Sequence, residues 1–337
     1  MPELRKDPVV GRWVIISTER SRRPTNFVPV KHERSSGYCP FCPGNEDKTP
    51  PEVYAHRPDG GEPNGPGWLV RVVPNKFPAL QIEGALDRRG EGLYDKMNGV
   101  GAHEVVIETP QHDLDLSDLP VEHIVEVLKA YRERIVDLHR DKRFRYVLIF
   151  KNHGAGAGAT LEHTHTQLIA TPIIPKILME EIEGSRRYFE LKERCVFCDI
   201  IQQETAEQNG RRVVSTSERF IAIEPFAPRV PFETWILPRQ HDASFQTVAD
   251  DEEFAELAAI LKDTLLRLNL ALDRPPFNFV IHTSPVAEGD LEYYHWHLEI
   301  TPTLTRVAGF EIGSGFYINP TPPEDAAQYL REITVEA

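Results

Sequence analysis

This 337-residue chain has few cysteines, an excess of acidic over basic residues, and no long apolar run. No segment approaches the roughly 20 apolar residues that a membrane-spanning helix needs. The first residues lack the apolar core of a signal peptide. A formal net charge of −14 excludes the basic footprint of a nucleic-acid-binding protein. We therefore expect a cytoplasmic globular protein that contacts neither membranes nor nucleic acids.

The four cysteines all lie in two C-x-x-C pairs, Cys39 with Cys42 and Cys195 with Cys198. In a cytosolic chain this spacing favours metal or redox chemistry over structural disulfides. Two matched pairs, each followed by histidines, predict two structural Cys₂His₂ zinc sites. The alternatives are a thioredoxin-like redox pair, which needs a βαβ unit, and a single Cys₄ zinc ribbon, whose cysteine pairs lie much closer in sequence.

The two halves of the chain repeat the same features in the same order. Each C-x-F-C pair precedes an apolar strand, a strand that ends at a proline just before a histidine, a long amphipathic helix, a further strand and an H-x-H strand that ends in Thr-Pro. These segments are residues 69–80, 104–112, 119–140, 145–152 and 163–172, and then 220–228, 233–241, 250–272, 277–283 and 295–302. The repeat predicts an α+β fold, a tandem duplication of a unit in which a helix packs on an antiparallel sheet.

The duplication also predicts the boundaries of the two domains. The first domain is residues 1–174 and the second is residues 175–337, with a helix over residues 175–193 bridging the halves. Asp118 and Asp250 are the expected N-terminal caps or first-turn acids of the two long helices. Glu104 and Glu233 align, because each stands eight residues before a histidine that follows a proline.

Equivalent positions in the repeat predict the metal ligands. Tetrahedral thiolate and imidazole ligands in equal number suit Zn²⁺. The predicted sets are Cys39, Cys42, His112 and His163 in the first half, and Cys195, Cys198, His241 and His295 in the second. His103 is the alternative to His112 as a metal ligand, but the second half has no histidine at the position equivalent to His103. A second site that uses both His295 and His297 is the alternative to one that uses both cysteines.

The segment from Gly154 to Gln167 predicts phosphoryl chemistry. A loop of glycine and alanine leads into H-x-H-x-Q, and alternate residues of a strand share one face. With His163 on the metal, His165 is free to attack phosphorus as a neutral imidazole. Gln167, Asn152 and the backbone N–H groups of residues 156–160 would hold phosphate oxygens. A zinc-stabilised binding module without catalysis explains the cysteines but not an unliganded His165.

These motifs resemble one known family. H-x-H-x-Q, the preceding N-x-G-A-x-x-G, residues 7–16 and the C-P-F-C pair are similar to those of galactose-1-phosphate uridylyltransferases, members of the histidine triad superfamily, and the resemblance covers nearly the whole chain. It implies a double displacement in which His165 takes the uridylyl group of UDP-glucose and passes it to galactose 1-phosphate. It also implies a homodimer. The nucleotide contacts that it implies are Arg20, Arg23, Asn75, Phe77, Asn152, Gly158, Thr160 and Gln167, and the hexose contacts are Phe310 and Glu311.

The chain departs from the uridylyltransferase pattern at several positions. Thr164 stands where many members have proline, Lys76 where many have aspartate, and Phe310 where they have tyrosine. The second C-x-x-C pair and residues 309–320 are closer to the ADP-glucose phosphorylase branch, whose acceptor is inorganic phosphate. Dinucleoside polyphosphate hydrolases of the same superfamily have a histidine at the position of Gln167. Since glutamine cannot serve as a general acid, we expect transfer and not hydrolysis. The leading expectation is uridylyl transfer, with adenylyl transfer to phosphate as its alternative.

Overall fold

In each half, strands precede and follow one long helix that belongs to the repeat, as the sequence predicts. The computed structural model describes residues 1–17, 37–206, 210–286 and 291–335. The elements of the first half are β1 (Glu3–Lys6), β2 (Trp13–Ile16), β3 (Tyr54–His56), β4 (Val70–Pro74), β5 (Arg89–Glu91), β6 (Tyr94–Lys96), β7 (Ala102–Ile107), α1 (Val121–Leu138), β8 (Tyr146–His153) and β9 (His165–Thr171). Those of the second half are α2 (Lys176–Lys192), α3 (Val196–Thr205), β10 (Val213–Thr216), β11 (Phe220–Ile223), β12 (Thr234–Pro238), α4 (Asp251–Leu272), β13 (Phe277–His282), β14 (His297–Pro302), α5 (Gly309–Ser314), β15 (Tyr317–Asn319) and α6 (Pro323–Glu332). The predicted α+β duplication and the bridging helix, now α2, are confirmed.

One antiparallel sheet of ten strands runs through both halves, in the order β10-β11-β12-β14-β13-β8-β9-β7-β4-β3. The sequence predicted a sheet in each half but not their union. The union is made by β8 and β13, which pair antiparallel with Phe150 opposite Val280. On the far side of each strand, Phe150 pairs with Gln167 and Val280 with Glu299. The junction therefore relates equivalent residues of the repeat by an approximate twofold axis.

Helices α1 and α4 pack side by side against the sheet and share one apolar core. The stripes that the sequence predicts on both helices are buried. Asp250 caps α4 as predicted, since its side chain accepts the amide of Glu252. The prediction for Asp118 is wrong, because α1 begins at Val121 after Pro120, a residue that fixes its own backbone. Asp118 instead ends a preceding 3-10 turn, where its carboxylate accepts the amide of Asp115 at 3.0 Å.

The N-terminal hairpin lies against the second half of the chain. β1 pairs antiparallel with β2, and β2 pairs parallel with β15 near the C-terminus. Arg5 forms an ion pair with Glu324 of α6 at 2.9 Å. The predicted first domain, residues 1–174, thus places its first strands among elements of the second, and the domain boundary stays a prediction. No helix in the described ranges is both long and apolar enough to cross a membrane.

We expect residues 1–174, produced alone, to aggregate or remain unfolded. Without the second half, β8 loses β13 and becomes an exposed edge strand, and β2 loses β15. The full chain should unfold in one cooperative calorimetric transition, because a single sheet and core span both halves. A monomeric half-chain with its own sharp unfolding transition, seen by size exclusion and calorimetry, would contradict this expectation.

Candidate active site and metal clusters

The first predicted metal cluster is assembled in the structure. Cys39, Cys42, His112 and His163 converge from the loop before β3, the segment after β7 and the residues just before β9. The distances from Cys42 Sγ are 3.4 Å to His112 Nδ1 and 3.7 Å to His163 Nδ1. Tetrahedral Zn²⁺ with ordinary bond lengths would separate such atoms by about 3.6 Å. His163 Nε2 lies 2.7 Å from the carbonyl oxygen of Thr109, so Nε2 carries the proton and Nδ1 presents its lone pair to the sulfurs.

The second cluster repeats this geometry. Cys195, Cys198, His241 and His295 come together with their ligand atoms mutually within 4.8 Å. Cys198 Sγ is 3.4 Å from His241 Nδ1 and 3.7 Å from His295 Nδ1. His295 Nε2 donates to the carbonyl of Pro238 at 2.9 Å, as His163 does to Thr109. The structure thus groups His295, and not His297, with the cysteines.

His165 lies at the start of β9 with its ring orientation fixed. Its Nδ1 is 2.8 Å from the carbonyl oxygen of His163. A carbonyl only accepts hydrogen bonds, so Nδ1 holds the proton and Nε2 carries the lone pair. The ring is buried, with Phe41 edge-on at 5.4 Å. Burial lowers the pKa of His165, which favours the neutral imidazole that a nucleophile needs.

Gln167 is oriented by His103, which the sequence suggested only as a competing metal ligand. His103 Nδ1 accepts the backbone N–H of Ala79 at 3.2 Å, so its Nε2 carries the proton and donates to Gln167 Oε1 at 2.8 Å. The Gln167 amide nitrogen is thereby turned away from His103 as a donor. Asn75 Nδ2 lies 3.1 Å from His103 Nε2, which is a contact between two donors and not a hydrogen bond, and Asn75 Oδ1 accepts the amide of Phe77. Only the strand pairing of β7 with β9 reveals the role of His103.

The glycine loop is held partly by the second half. Gly158 has φ of +91°, a conformation that glycine adopts without strain. Asn278 of β13 donates its amide to Asn152 Oδ1 at 2.8 Å and to the carbonyl of Ala157 at 2.9 Å. Pro276 stands close enough to Gly156 that a Cβ there would lie 3.0 Å from its ring. Asn278 escaped the sequence analysis because it acts across the junction between the repeats.

The other predicted contact residues stand on the periphery of this arrangement. Thr160 is exposed, and the Phe77 side chain is 83% exposed. Phe310 and Glu311 lie on α5, which packs beside β15. Arg20 and Arg23 lie outside the described residues.

The register of β12 corrects one alignment of the repeat. His103 stands two residues before the partner of Gln167 in β7, and Glu233 stands two residues before the partner of Glu299 in β12. Glu233 is therefore the counterpart of His103, and the alignment of Glu104 with Glu233 is wrong by one residue within the strand. The equal spacing to the metal-cluster histidines misled the sequence alignment, because the second repeat is one residue shorter after the strand.

In the second half, charged side chains occupy the equivalent site. Arg229 donates to the carboxylates of both Glu233 and Glu299. His297, the twin of His165, is 1% exposed and directs Nδ1 to the carbonyl of His295 at 3.1 Å. The ring geometry of the nucleophile is preserved there, but acidic and guanidinium groups surround it.

A duplicated histidine-triad-like fold with two Cys₂His₂ clusters and one glycine-loop histidine defines the class of this protein. Family models for the N-terminal and C-terminal domains of galactose-1-phosphate uridyl transferase match residues 1–175 and 181–335. The chain belongs to the galactose-1-phosphate uridyl transferase family.

Relatives of both branches cover the chain almost completely. ADP-glucose phosphorylase of Arabidopsis thaliana is 39% identical over 99% of this chain and 93% of its own. A galactose-1-phosphate uridylyltransferase of Thermotoga maritima is 31% identical over the full length of both. The crystal structure of the Arabidopsis ADP-glucose phosphorylase with bound ADP-glucose superposes with a TM-score of 0.84 at 37% identity, over 99% of this chain and 100% of that one. A uridylyltransferase structure gives a TM-score of 0.76 at 31% identity, over 98% and 97% of the two chains.

We expect His282 to make the stability of the protein depend on pH. Burial by itself lowers the pKa of His282, but the carboxylates of Glu181, 2.8 Å away, and Glu299 raise it to about 9. Because this exceeds the unfolded value of about 6.5, His282 contributes stability that is complete below about pH 6.5 and is lost as the pH rises through about 9. The contribution is about 3 kcal/mol.

Thermal unfolding of H282Q against the wild-type chain checks this expectation. The variant should be less stable at neutral pH, and the difference in Tm should shrink as the solution becomes alkaline. A difference in Tm that stays constant with pH would contradict the assignment of a charged His282.

Proposed function

We propose that this protein transfers a nucleotidyl group from a nucleotide sugar through a covalent intermediate on His165. The observation that supports this proposal best is the bond from His165 Nδ1 to the His163 carbonyl, which leaves Nε2 as the basic nitrogen of a buried, neutral imidazole. The counterpart His297 lies among carboxylates that would repel a phosphate. Chemistry is therefore assigned to the first half alone.

The proposed reaction consists of two in-line displacements at one phosphorus. His165 Nε2 attacks the α-phosphorus, a P–N bond forms, and the bond to the sugar-phosphate oxygen breaks. The sugar 1-phosphate leaves as an anion, so no general acid is required. An acceptor phosphate oxygen then attacks the same phosphorus and breaks the P–N bond. The Gln167 amide and the backbone N–H groups of the glycine loop would stabilise the charge on the non-bridging oxygens.

The proposed donor is ADP-glucose, with inorganic phosphate as the acceptor and ADP and glucose 1-phosphate as products. The support is the higher identity and TM-score of the Arabidopsis ADP-glucose phosphorylase. The second C-x-x-C pair and residues 309–320, which resemble that branch, support the same donor. The second candidate is uridylyl transfer from UDP-glucose to galactose 1-phosphate, which the full-length match to the Thermotoga uridylyltransferase favours. Homodimer formation and a cytoplasmic location stay predictions.

We propose Zn²⁺ as the metal in both Cys₂His₂ clusters. Two thiolates and two imidazoles form a closed tetrahedral set without a position for substrate, which is typical of structural zinc. Bound zinc would anchor His163, and through it the main chain that leads to His165. His163 and His295 donate Nε2–H to backbone carbonyls, an arrangement that presents Nδ1 of each ring to the cysteine sulfurs.

We expect the purified chain to contain two zinc equivalents, and C42S and C198S to contain one each. Elemental analysis by mass spectrometry measures this content. The two variants form a matched pair, because only the Cys42 cluster adjoins His165. C42S should therefore slow formation of the nucleotidyl intermediate far more than C198S does. Equal slowing of intermediate formation in both variants, or a purified protein without zinc, would contradict the assignment.

Intact-mass spectrometry after incubation with ADP-glucose or UDP-glucose tests the proposed function. We expect an added AMP with ADP-glucose, and no adduct with either donor in H165A. Added phosphate should discharge the adduct as ADP. A UMP adduct that galactose 1-phosphate discharges would establish the second candidate.

H297Q serves as the matched control for this experiment. It alters the equivalent histidine of the other repeat and should still accumulate the adduct. An adduct that survives in H165A, or no adduct with either nucleotide sugar, would contradict the proposed mechanism.

A further inference from the structure

A buried ion pair lies directly beneath the proposed nucleophile, on the face of the sheet that packs on α1. Lys151 Nζ donates to Glu108 Oε2 at 2.6 Å, to Thr164 Oγ1 at 2.8 Å and to the backbone carbonyl of His165 at 2.9 Å. Lys151 is 1% exposed and Glu108 is inaccessible to solvent. All three N–H donors of the ammonium are thus used, and one of them holds the main chain of the nucleophile.

Each oxygen of the Glu108 carboxylate also accepts two hydrogen bonds. Its Oε1 accepts from Thr166 at 2.6 Å and from Tyr131 of α1 at 2.9 Å, and its Oε2 accepts from Thr164 at 2.5 Å besides Lys151. Burial alone would raise the pKa of Glu108, but the ammonium and the hydroxyl donors outweigh burial and hold this pKa below its usual value. A buried network with every member satisfied is rigid and specifies one arrangement of its backbone.

The second repeat shows that the fold does not need these charges. Because His165 and His297 are equivalent, Thr164 corresponds to Trp296. The strand pairing likewise places Ile281 where the first repeat has Lys151. Leu298 replaces Thr166, and these three apolar residues are all buried. Removing two charges from water is costly, and apolar residues at such positions are often as stable or more so. The ionic network therefore occurs only under the histidine that is proposed to react.

We propose that Lys151 and Glu108 are positioning residues, which hold the main chain of residues 164–166 so that His165 Nε2 is aimed at the α-phosphorus. This inference rests on the proposed function. The His163 side chain, the His163 carbonyl and Lys151 fix the segment at three successive points. Lys151 holds the backbone carbonyl of His165, which is the point that lies after the ring of the nucleophile. Neither the metal cluster nor the His165 ring itself restrains this point.

The test compares two double variants that each remove a buried ion pair. E108Q/K151M eliminates both charges beneath His165 while keeping similar side-chain volumes. E104Q/R134M removes the other buried pair between the sheet and α1, where Arg134 Nε lies 2.7 Å from Glu104 Oε2. We expect E108Q/K151M to form the adduct with ADP-glucose about 10- to 100-fold more slowly in single-turnover rapid quench. E104Q/R134M should keep the wild-type rate.

Three further measurements separate positioning from general damage. The Kd of ADP-glucose, measured in an H165A background, should be unchanged by E108Q/K151M, and both variants should retain their zinc. Hydrogen exchange of the amides at residues 164–167 should accelerate in E108Q/K151M alone. A wild-type adduct rate in that variant, or a defect that appears only as weaker binding of ADP-glucose, would overturn the inference. If the wild-type chain forms no adduct, the proposed function fails, and unchanged hydrogen exchange would then overturn the positioning role by itself.

Discussion

The rest of the site depends on how the main chain is held at residues 163–165. His163 is fixed by its place in the Cys₂His₂ cluster and by its bond to the carbonyl of Thr109. The His163 carbonyl in turn fixes the ring of His165, and the carbonyl of His165 is held by Lys151 from the opposite face of the sheet. This arrangement fixes a proton on Nδ1, since Nδ1 donates to a carbonyl oxygen, and burial lowers the pKa of the ring and so favours the neutral form with a bare Nε2.

The duplication accounts for the proposal that the first half carries the chemistry while the second half stabilises the fold. Both halves keep the metal cluster and a histidine whose Nδ1 donates to the carbonyl oxygen of the residue two positions earlier. In the first half a glycine loop precedes that histidine and an amide side chain follows it two residues later in the strand, and Asn278 reaches across the junction to hold the loop. In the second half Arg229 and two glutamates fill the equivalent space. Carboxylates there would repel a phosphate, and with Arg229 they form a buried ionic network.

Much of the site could be predicted because the repeat supplies an internal comparison. Equivalent positions selected His112 over His103 and the first histidine of each H-x-H over the second, and the structure groups those residues. The roles of His103, Asn278 and Lys151 could not be predicted, since each depends on which strands pair and in which register. The spacing argument failed for Glu233, where a one-residue difference after the strand shifted the alignment. The union of the two sheets through β8 and β13 escaped prediction, because the apolar residues of β8 suit a core strand and an edge strand equally well.

The fold presets the proton positions on the two histidines of the H-x-H motif. Nitrogen-15 NMR of the protein labelled at its histidine rings, assigned with H165A, tests this most directly. We predict that His165 at neutral pH is protonated at Nδ1 with a bare Nε2, while His163 is protonated at Nε2 with Nδ1 on the metal. A proton on Nε2 of His165, or a doubly protonated ring at neutral pH, would contradict the account.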